Sequence, residues 1–287
     1  MEDPIKRAPD FLGIGLQKAG TSWLYEQLDR HPDIWLPKRK ELHFFDSTLN
    51  ASWHDKRQER AKKELESLNK RLQTAKKGQV KKIQKEIEEQ EYMAQPIQDL
   101  DWYKGIWSTI APIGVVSGEI TPAYSLIEED TIKLIREDVG VNKVILILRD
   151  PVERSWSQFR MMTERSSNDP ERVFKKRRLL DRGRAKEILE RWEAYFSPEE
   201  IFIGFFEDIK VRPYSFLEQV CNFLEVRFDR AFFPEAETPV RVSRSAPCPP
   251  DILEFYREEY KSDLLYLANR FGGYPLDWAR RHELLPE

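Results

Sequence analysis

The chain of 287 residues is poor in cysteine and lacks a long apolar run. Its two cysteines, Cys221 and Cys248, are too few for a disulfide framework or an all-cysteine metal site. The longest clean apolar run is Val144–Leu148, whereas a helix needs about 20 apolar residues to cross a bilayer. The first residues contain no apolar core of the kind a secretory signal needs. We therefore expect a soluble, cytoplasmic protein without a membrane span.

Neither sign of charge dominates, because 47 Lys and Arg stand against 50 Asp and Glu, for a net charge of −3. This balance argues against a protein that coats a polyanion, so no nucleic-acid partner is expected. Histidine is scarce, and His31, His54 and His282 lack the spacing of metal ligands, so no metal site is predicted. The 8 Trp and 16 Phe supply enough apolar mass for a substantial core.

Short apolar segments alternate with amphipathic ones along most of the chain. The predicted strands are 11–16, 115–117, 143–148 and 201–205. The predicted helices are roughly 128–138, 151–165, 185–195 and 213–225. The 143–148 segment is apolar on both faces, which is typical of a covered strand in a parallel sheet. The alternation predicts an α/β fold, a single domain with a central, mainly parallel sheet flanked by helices.

Residues 56–94 interrupt this alternation with 12 Lys and Arg, 7 Asp and Glu and almost no aromatic side chains. Their leucines and isoleucines recur three and four residues apart, so the segment predicts a helical insertion within the domain. An antiparallel hairpin with its turn near Lys77-Gly78 fits the pattern, and so does one long helix. The apolar stripe and charged face are typical of a surface insertion. A lid, a partner helix or an arm that forms a homo-oligomer are the functional alternatives.

A glycine-containing segment joins the first strand to a helix. In Gly15–Ser22, two glycines stand five residues apart and precede the hydroxyl residues Thr21 and Ser22. The first amide groups of a helix have no intrahelical acceptor, and the helix dipole favours negative charge there. Gly20 lets a phosphate approach the backbone closely, and Lys18 adds a mobile cation. The segment favours a phosphate-binding turn, with an ordinary strand-to-helix turn as the alternative.

The spacing differs from that of the loop that binds nucleoside triphosphates in the P-loop proteins. That loop places Lys directly after its second glycine and Ser or Thr next, to hold the terminal phosphates and magnesium. Here Thr21 takes the Lys position, and Lys18 lies two residues before the glycine.

A second candidate phosphate anchor follows the 143–148 strand. Ligands of open α/β sheets bind at the carboxyl ends of the strands, where Arg149 can grip a phosphate with its planar guanidinium. In a helix that begins at Pro151, Ser157 and Arg154 share one face. Two anchors at two strand-to-helix junctions suit a nucleotide with phosphates at both ends of its ribose. One alternative is that Arg149 pairs with Asp150 or with a carboxylate on the helix surface. Another is that Asp150 is a magnesium ligand of a phosphotransferase.

Five segments of the chain resemble parts of a known family. Lys18–Leu24 resembles the 5′-phosphosulfate loop of the sulfotransferases that use 3′-phosphoadenosine-5′-phosphosulfate (PAPS), and Arg149–Ser157 resembles their 3′-phosphate motif. Lys40–Asp46 and Gly118–Tyr124 resemble segments of the carbohydrate branch, the heparan-sulfate-type enzymes and their bacterial relatives. Phe206–Asp208, with the helix that follows it, also fits.

The resemblance implies transfer of a sulfuryl group from PAPS to a hydroxyl of a carbohydrate or small-molecule acceptor, leaving 3′-phosphoadenosine-5′-phosphate (PAP). It implies that Glu41 is the general base and that Lys18 neutralises charge at the transferred group. His43 is a further candidate, either orienting Glu41 or touching the acceptor, or else packing structurally beside two phenylalanines. The residues assigned to the nucleotide are Lys18, Ala19, Gly20, Thr21, Ser22, Trp23, Arg149, Ser157 and Arg244. Arg244 lies where the family often has a Lys-Gly-Arg loop, although the glycine is absent here.

Two other classes of protein remain alternatives. A P-loop-like small-molecule kinase needs magnesium ligands, which the glycine segment does not supply. A non-catalytic nucleotide-binding scaffold would use the 56–94 insertion as its interaction surface.

Basic and aromatic residues elsewhere have two interpretations each. The basic run 175–178, with Arg182 and Arg184, either steers an anionic acceptor or forms a solvated helix face. Four aromatic residues are predicted to lie in the core rather than to clamp an adenine: Trp102, Trp107, Phe232 and Phe233.

Overall fold

The computed structural model describes residues 8–46, 52–95, 99–164, 173–240 and 246–286, with residues 52–58 described as backbone only. Five strands form one parallel sheet in the order β2-β3-β1-β4-β5. They are β1 Phe11–Gly15, β2 Ile34–Trp35, β3 Val116–Ile120, β4 Lys143–Leu148 and β5 Ile201–Phe205. The predicted single α/β domain with a parallel central sheet is confirmed.

The strands β1 and β4 lie in the interior of the sheet. Every residue of β1 is buried, and so is every residue of β4 except Lys143. Apolar side chains on both faces of these strands pack against helices on the two sides, as expected for a covered parallel sheet. The carboxyl ends of β1 and β4 therefore meet at one edge of the sheet, where their following loops lie side by side.

Two strands differ from the sequence prediction. The strand predicted at 115–117 is β3, which continues through Gly118 to Ile120. Gly118 lies opposite Phe11, and a Cβ atom at Gly118 would lie 2.5 Å from the Phe11 ring. Glycine thus permits a close approach within the strand instead of ending it. Strand β2 was not predicted, because two residues are too few to show a periodic pattern.

Helices cover both faces of the sheet. In chain order they are α1 Thr21–Leu28, α2 Ser52–Gln73, α3 Lys77–Met93, α4 Leu100–Gly105, α5 Glu129–Leu134, α6 Pro151–Glu164, α7 Arg177–Asp181, α8 Ala185–Glu193, α9 Phe206–Val211, α10 Pro213–Phe223, α11 Pro250–Glu259, α12 Lys261–Phe271 and α13 Gly273–Arg281. Helices α4 and α5 continue as π-helical turns over Ile106–Ile110 and Ile135–Val139. In the described part of the chain, each helix is too short or too polar to cross a bilayer.

Helices α2 and α3 form an antiparallel pair, called the hairpin below. Of the two arrangements compatible with the sequence, the structure has the hairpin, with its turn just before Lys77 and with Gly78 inside α3. The two helices share a small core of Leu68, Ile83 and Ile87. At its far end α3 joins the main core of the protein, where Met93 is completely buried.

The aromatic residues singled out in the sequence lie mainly in the core. Trp102, Trp107 and Phe233 are buried, as predicted. Phe232 is half-buried, and its ring meets that of His31 edge to face at 5.0 Å between centroids.

Candidate active site

The segment between β1 and α1 (Gly15–Ser22, called the cradle below) ends in the first turn of α1. Gly20 precedes α1 with a φ of 91°, in the left-handed region that glycine adopts without strain. A Cβ atom there would lie 2.7 Å from Cδ1 of Ile209, so a larger residue does not fit. The backbone N–H groups of the first turn of α1 have no acceptor within the helix. The cradle therefore offers hydrogen-bond donors where the helix dipole favours negative charge.

The second predicted anchor reaches the cradle directly. Arg149 follows β4, and its Nη1 donates to the backbone carbonyl of Lys18 at 2.8 Å, across 131 residues of sequence. The guanidinium lies over the ring of Phe206, 4.4 Å from its centroid. In the described residues, the buried Nε of Arg149 has no hydrogen-bond acceptor. Two strand-to-helix junctions thus contribute cationic and amide donors to one place.

The other residues assigned to the nucleotide differ in burial and position. Ser157 is on α6 and only 3% exposed, and Ala19 is completely buried. Trp23 is turned to the interior, where its indole N–H donates to the carbonyl of Ala236 at 2.9 Å. Its side chain is therefore part of the core, and only its backbone belongs to the helix start. Arg244 lies outside the described residues.

Residues 36–46, called the Glu41 loop below, follow β2 and lie against the start of α1. Lys40 Nζ donates to the hydroxyl of Ser22 at 2.7 Å and lies 4.0 Å from Oε1 of Glu41. The loop therefore brings a carboxylate to the same place as the amide groups of α1. Both Glu41 and His43 have positive φ, 64° and 55°, which non-glycine residues rarely adopt. Such a backbone persists only where its surroundings hold it.

Glu41, His43 and Asp46 form a connected triad in this loop. His43 Nε2 lies 3.1 Å from Oε2 of Glu41, and its Nδ1 lies 2.9 Å from Oδ2 of Asp46. Glu41 is 29% exposed, whereas Asp46 is 7% exposed. The imidazole thus joins a buried carboxylate to one that solvent or a ligand can reach. Sequence reasoning identified Glu41 and His43, but it missed Asp46.

Within the triad, the pKa of each of Glu41 and His43 is shifted so that its charged form is favoured by the other. Burial alone would raise the pKa of Glu41, but hydrogen bonding to His43 and the positive charges of Lys40, His43 and Arg182 bring it below its usual value. Burial alone would lower the pKa of His43, but hydrogen bonds to Asp46 and Glu41 raise it from 6.5 to about 9. At neutral pH, Glu41 is therefore an anion and His43 a cation.

Arg182, for which the sequence left open the steering of an anionic acceptor or a solvated helix face, lies beside the cradle and Glu41. Its guanidinium donates to the side-chain amide of Gln17 in the cradle, and its charge lowers the pKa of Glu41. Burial and the neighbouring charges of Arg178 and Arg154 lower its own pKa to about 10. The run 175–178 before it is exposed, as a solvated face requires. The local sequence does not indicate the interactions of Arg182 with Gln17 and Glu41, because both come from remote segments.

A buried carboxyl group lies beneath the Glu41 loop. Glu119, on β3, is 2% exposed and accepts hydrogen bonds from the hydroxyls of Tyr103, Thr121 and Tyr124 at 2.8, 2.6 and 3.0 Å. Burial, against the effect of these hydrogen bonds, raises its pKa from 4.5 to about 7. The Tyr124 hydroxyl in turn accepts from the backbone N–H of Phe44 at 3.0 Å. The network therefore ties the central sheet to the Glu41 loop.

Asp150 has a structural role that does not fit a magnesium ligand. Its carboxylate is completely buried, accepts from the backbone N–H of Val152 at 2.9 Å, and lies 2.8 Å from Nε2 of His282. It therefore caps α6 and holds the C-terminal end of the chain against the sheet. Arg154 is also buried, and its guanidinium donates to the carbonyl of Leu179 at 2.7 Å. The contacts of Asp150 argue against the alternative in which it is a magnesium ligand.

An open parallel sheet whose β1 and β4 junctions bring amide and guanidinium donors together is typical of the α/β proteins that bind ligands at the carboxyl ends of their strands. Within this class, the chain belongs to the sulfotransferase family, whose model matches residues 9–230. The predicted family is confirmed.

Individual relatives are distant. Heparan sulfate glucosamine 3-O-sulfotransferase 5 of Mus musculus is 22% identical over 241 residues, which make up 79% of this chain and 56% of that protein. The Homo sapiens protein of the same name is also 22% identical over 241 residues. The chain thus spans about half the length of the curated relatives it matches.

Solved structures share the fold. A sulfotransferase from Alicyclobacillus acidocaldarius superposes with a TM-score of 0.63 and 19% identity, over 96% of this chain and 100% of that one. Mouse sulfotransferase SULT7A1, solved in complex with PAP, gives a TM-score of 0.55 and 12% identity, over 97% of this chain and 90% of that one.

Proposed function

We propose that this protein transfers a sulfuryl group from PAPS to a hydroxyl of a carbohydrate or small-molecule acceptor. The observation that carries the proposal is the contact between Arg149 and the carbonyl of Lys18, which brings together two strand-to-helix junctions whose donors suit an anion. Membership of the sulfotransferase family supports the same chemistry. The named activities of the curated relatives suggest a sugar hydroxyl as one acceptor.

The residues present fit a nucleotide with two phosphate groups. Amide groups of Gly20, Thr21 and Ser22 would hold the 5′-phosphate at the start of α1. Arg149 and Ser157 would hold the 3′-phosphate, and the unpartnered buried Nε of Arg149 is a donor suited to such an anion. When bound, PAPS supplies the sulfuryl group as an electrophile. Its binding by amides and cations needs no carboxylate-bound metal ion.

Glu41 would accept the proton of the acceptor hydroxyl. Its lowered pKa keeps it ionised at neutral pH, which a general base requires. His43, with a pKa of about 9, is already protonated and cannot take that proton. We therefore assign His43 to orienting Glu41, with Asp46 stabilising the imidazolium. Lys18 would neutralise negative charge that develops at the transferred group.

Arg182 places a positive charge near Glu41, where the acceptor would bind. It lies close enough to Glu41 and Asp46 to affect both electrostatically, and it is bound to the cradle through Gln17. A positive group at this position would attract an acceptor with an anionic substituent. The acceptor hydroxyl itself would lie between this group and the carboxylate of Glu41.

Calorimetric titration with PAP tests the donor part of the proposal. We expect one molecule of PAP to bind per chain, with an affinity that falls as salt rises, because the contacts are ionic. If PAP does not bind, the assignment to PAPS is wrong.

Transfer of radiolabelled sulfate from PAPS to a panel of glycans and small hydroxyl compounds tests the reaction. Addition of EDTA separates the alternatives, because a kinase would lose activity with its magnesium ion. Phosphate transfer from ATP that EDTA stops, without any sulfate transfer, would favour the kinase.

A further inference from the structure

The Glu41 loop has no regular secondary structure, so its backbone must find hydrogen-bond partners elsewhere. Three buried or half-buried side chains provide them. The hydroxyl of Tyr25 donates to the carbonyl of Pro37 at 2.8 Å, and the hydroxyl of Tyr124 accepts from the N–H of Phe44 at 3.0 Å. The third partner comes from the hairpin.

The third partner is Glu89 of α3, whose Oε1 accepts from the backbone N–H of Lys38 at 2.6 Å. Glu89 is only 5% exposed, although it belongs to a helix whose other glutamates are mostly at the surface. A buried carboxylate is costly unless it is hydrogen-bonded, so its position between α3 and the loop requires an explanation.

The end of α3 that carries Glu89 is fixed to the core. Met93, one turn further along on the same face, is completely buried, and Gln90 is 3% exposed. Tyr92 stacks on Trp102, its hydroxyl donates to the carbonyl of Trp102 at 3.0 Å, and the indole N–H of Trp102 donates back to the carbonyl of Tyr92 at 3.1 Å. A rigid support therefore holds Glu89 against the loop.

We infer that Glu89 is a positioning residue, through which the hairpin fixes the Glu41 loop in the conformation that joins Glu41 to His43. This inference rests on the proposed function in that it takes Glu41 as the base. It gives the hairpin a task within the chain, apart from any partner it binds. Lys38 lies three residues before Glu41 in the same loop.

The titration of the His43 imidazole reports the loop conformation, because its pKa of about 9 depends on its bonds to Glu41 and Asp46. We would follow it by NMR on protein with labelled histidine and assign the resonance with His43→Gln. Glu89→Met keeps the volume and removes the acceptor, and Glu89→Gln keeps an acceptor oxygen. The exposed neighbour Glu88→Met is the matched control.

In Glu89→Met we expect the pKa of His43 to fall by about one unit or more towards its usual value. In Glu89→Gln and Glu88→Met it should stay near that of the unmodified protein. A folded Glu89→Met protein with an unchanged His43 titration would overturn the inference.

A measurement on the unmodified protein covers the case in which Glu89→Met does not fold. The Lys38 amide should exchange its hydrogen roughly a hundredfold more slowly than the amide of Ile113, which lies in an exposed loop. Equal exchange rates would also overturn the inference. Neither measurement uses the nucleotide, so a failure to bind PAP would reject the proposed function and leave this inference testable.

Discussion

The cradle and the Glu41 loop differ in how their conformations are fixed. The cradle is held mainly by backbone geometry, with a strand, a left-handed glycine and a helix start within eleven residues of sequence. The Glu41 loop is held by side chains from remote segments, namely Glu89, Tyr25 and Tyr124. The cradle itself is thus specified by local sequence, whereas Arg149 and the loop that we assign to proton transfer reach the site only through the rest of the fold.

This difference predicts that the two halves respond separately to substitution. A change in the cradle should affect affinity for the nucleotide, and a change in the loop should affect turnover. The contact of Lys40 with Ser22 is one point at which the two halves meet, and Arg182, between Gln17 and Glu41, is another.

Glu41→Gln should have the largest effect. Removal of a general base lowers turnover by about 10²–10⁴-fold, because the acceptor hydroxyl then keeps its proton. The affinity for PAP, measured by calorimetry, should stay within a small factor of that of the unmodified protein. The exposed Glu128→Gln serves as the control. Sulfate transfer at an undiminished rate would show that the base lies elsewhere.

Arg149→Ala should weaken PAP binding about 10- to 100-fold, since a hydrogen bond to a charged group contributes about 1.5–3 kcal/mol. Arg149→Lys keeps the charge but loses the planar fork, so it should recover only part of the affinity. Arg177→Ala, at a side chain that is 94% exposed, is the matched control. If Arg149→Ala binds PAP with unchanged affinity, Arg149 does not belong to the half of the site that binds the nucleotide.

Glu119 makes a prediction about stability and pH. Its pKa is about 7 in the folded protein and 4.5 without the fold, so the folded state holds the proton more tightly. The free energy of unfolding should therefore fall as pH rises from about 4.5 to 7, by on the order of 3 kcal/mol from this group. Glu119→Gln should reduce this slope in thermal or urea unfolding, and the exposed Glu129→Gln should not.

The pKa values of His43 and Glu89 are also raised in the folded protein. Both groups therefore contribute to the pH dependence of the free energy of unfolding in that experiment. The pKa of Glu89 is raised to about 7, mainly by burial, and that of His43 to about 9, against burial and through its carboxylate partners. The stability due to His43 is complete below pH 6.5 and is lost as pH rises towards 9. An identical slope in Glu119→Gln and the unmodified protein would mean that Glu119 does not titrate in this range.

Glu59→Gln should have the smallest effect. The ion pair of Glu59 with Lys63 lies on α2, and both side chains are largely exposed, at 67% and 72%. Such pairs contribute little in water, so the melting temperature should not change measurably. A clear loss of stability would show that the exposed part of the hairpin also stabilises the fold.

Much of the fold was predictable from short segments. Strands β4 and β5 were predicted at their observed bounds, because a continuous apolar run between polar turns has few alternatives. The predicted end of β3 before Gly118 was wrong, because Gly118 leaves room within the strand for the Phe11 ring of a neighbouring strand. That role depends on strand pairing, which local sequence does not report.

Some residues of the candidate site were likewise predictable from short segments, and others were not. Gly20, Thr21 and Ser22 lie at the predicted helix start because a strand, a glycine and a helix in sequence already specify that geometry. Glu119 and Glu89 were missed as members of the site, because their hydrogen bonds to Tyr103 and to the Lys38 amide come from other segments. Asp46 was missed although its partner His43 is only three residues away. Glu119 lies within a segment that resembled the family, yet nothing in that segment indicates that its carboxyl would be buried under three hydroxyls.

The amino-acid sequence by itself determined the parallel α/β core, the family and the turn that presents amide groups to an anion, since hydrophobic pattern and helix geometry act over a few residues. Only the tertiary structure decided that Arg149 meets the cradle, that His43 is held as a cation between two carboxylates, and that Glu89 supports the Glu41 loop. Charge and burial depend on which groups are neighbours in space, and chain folding sets those neighbours.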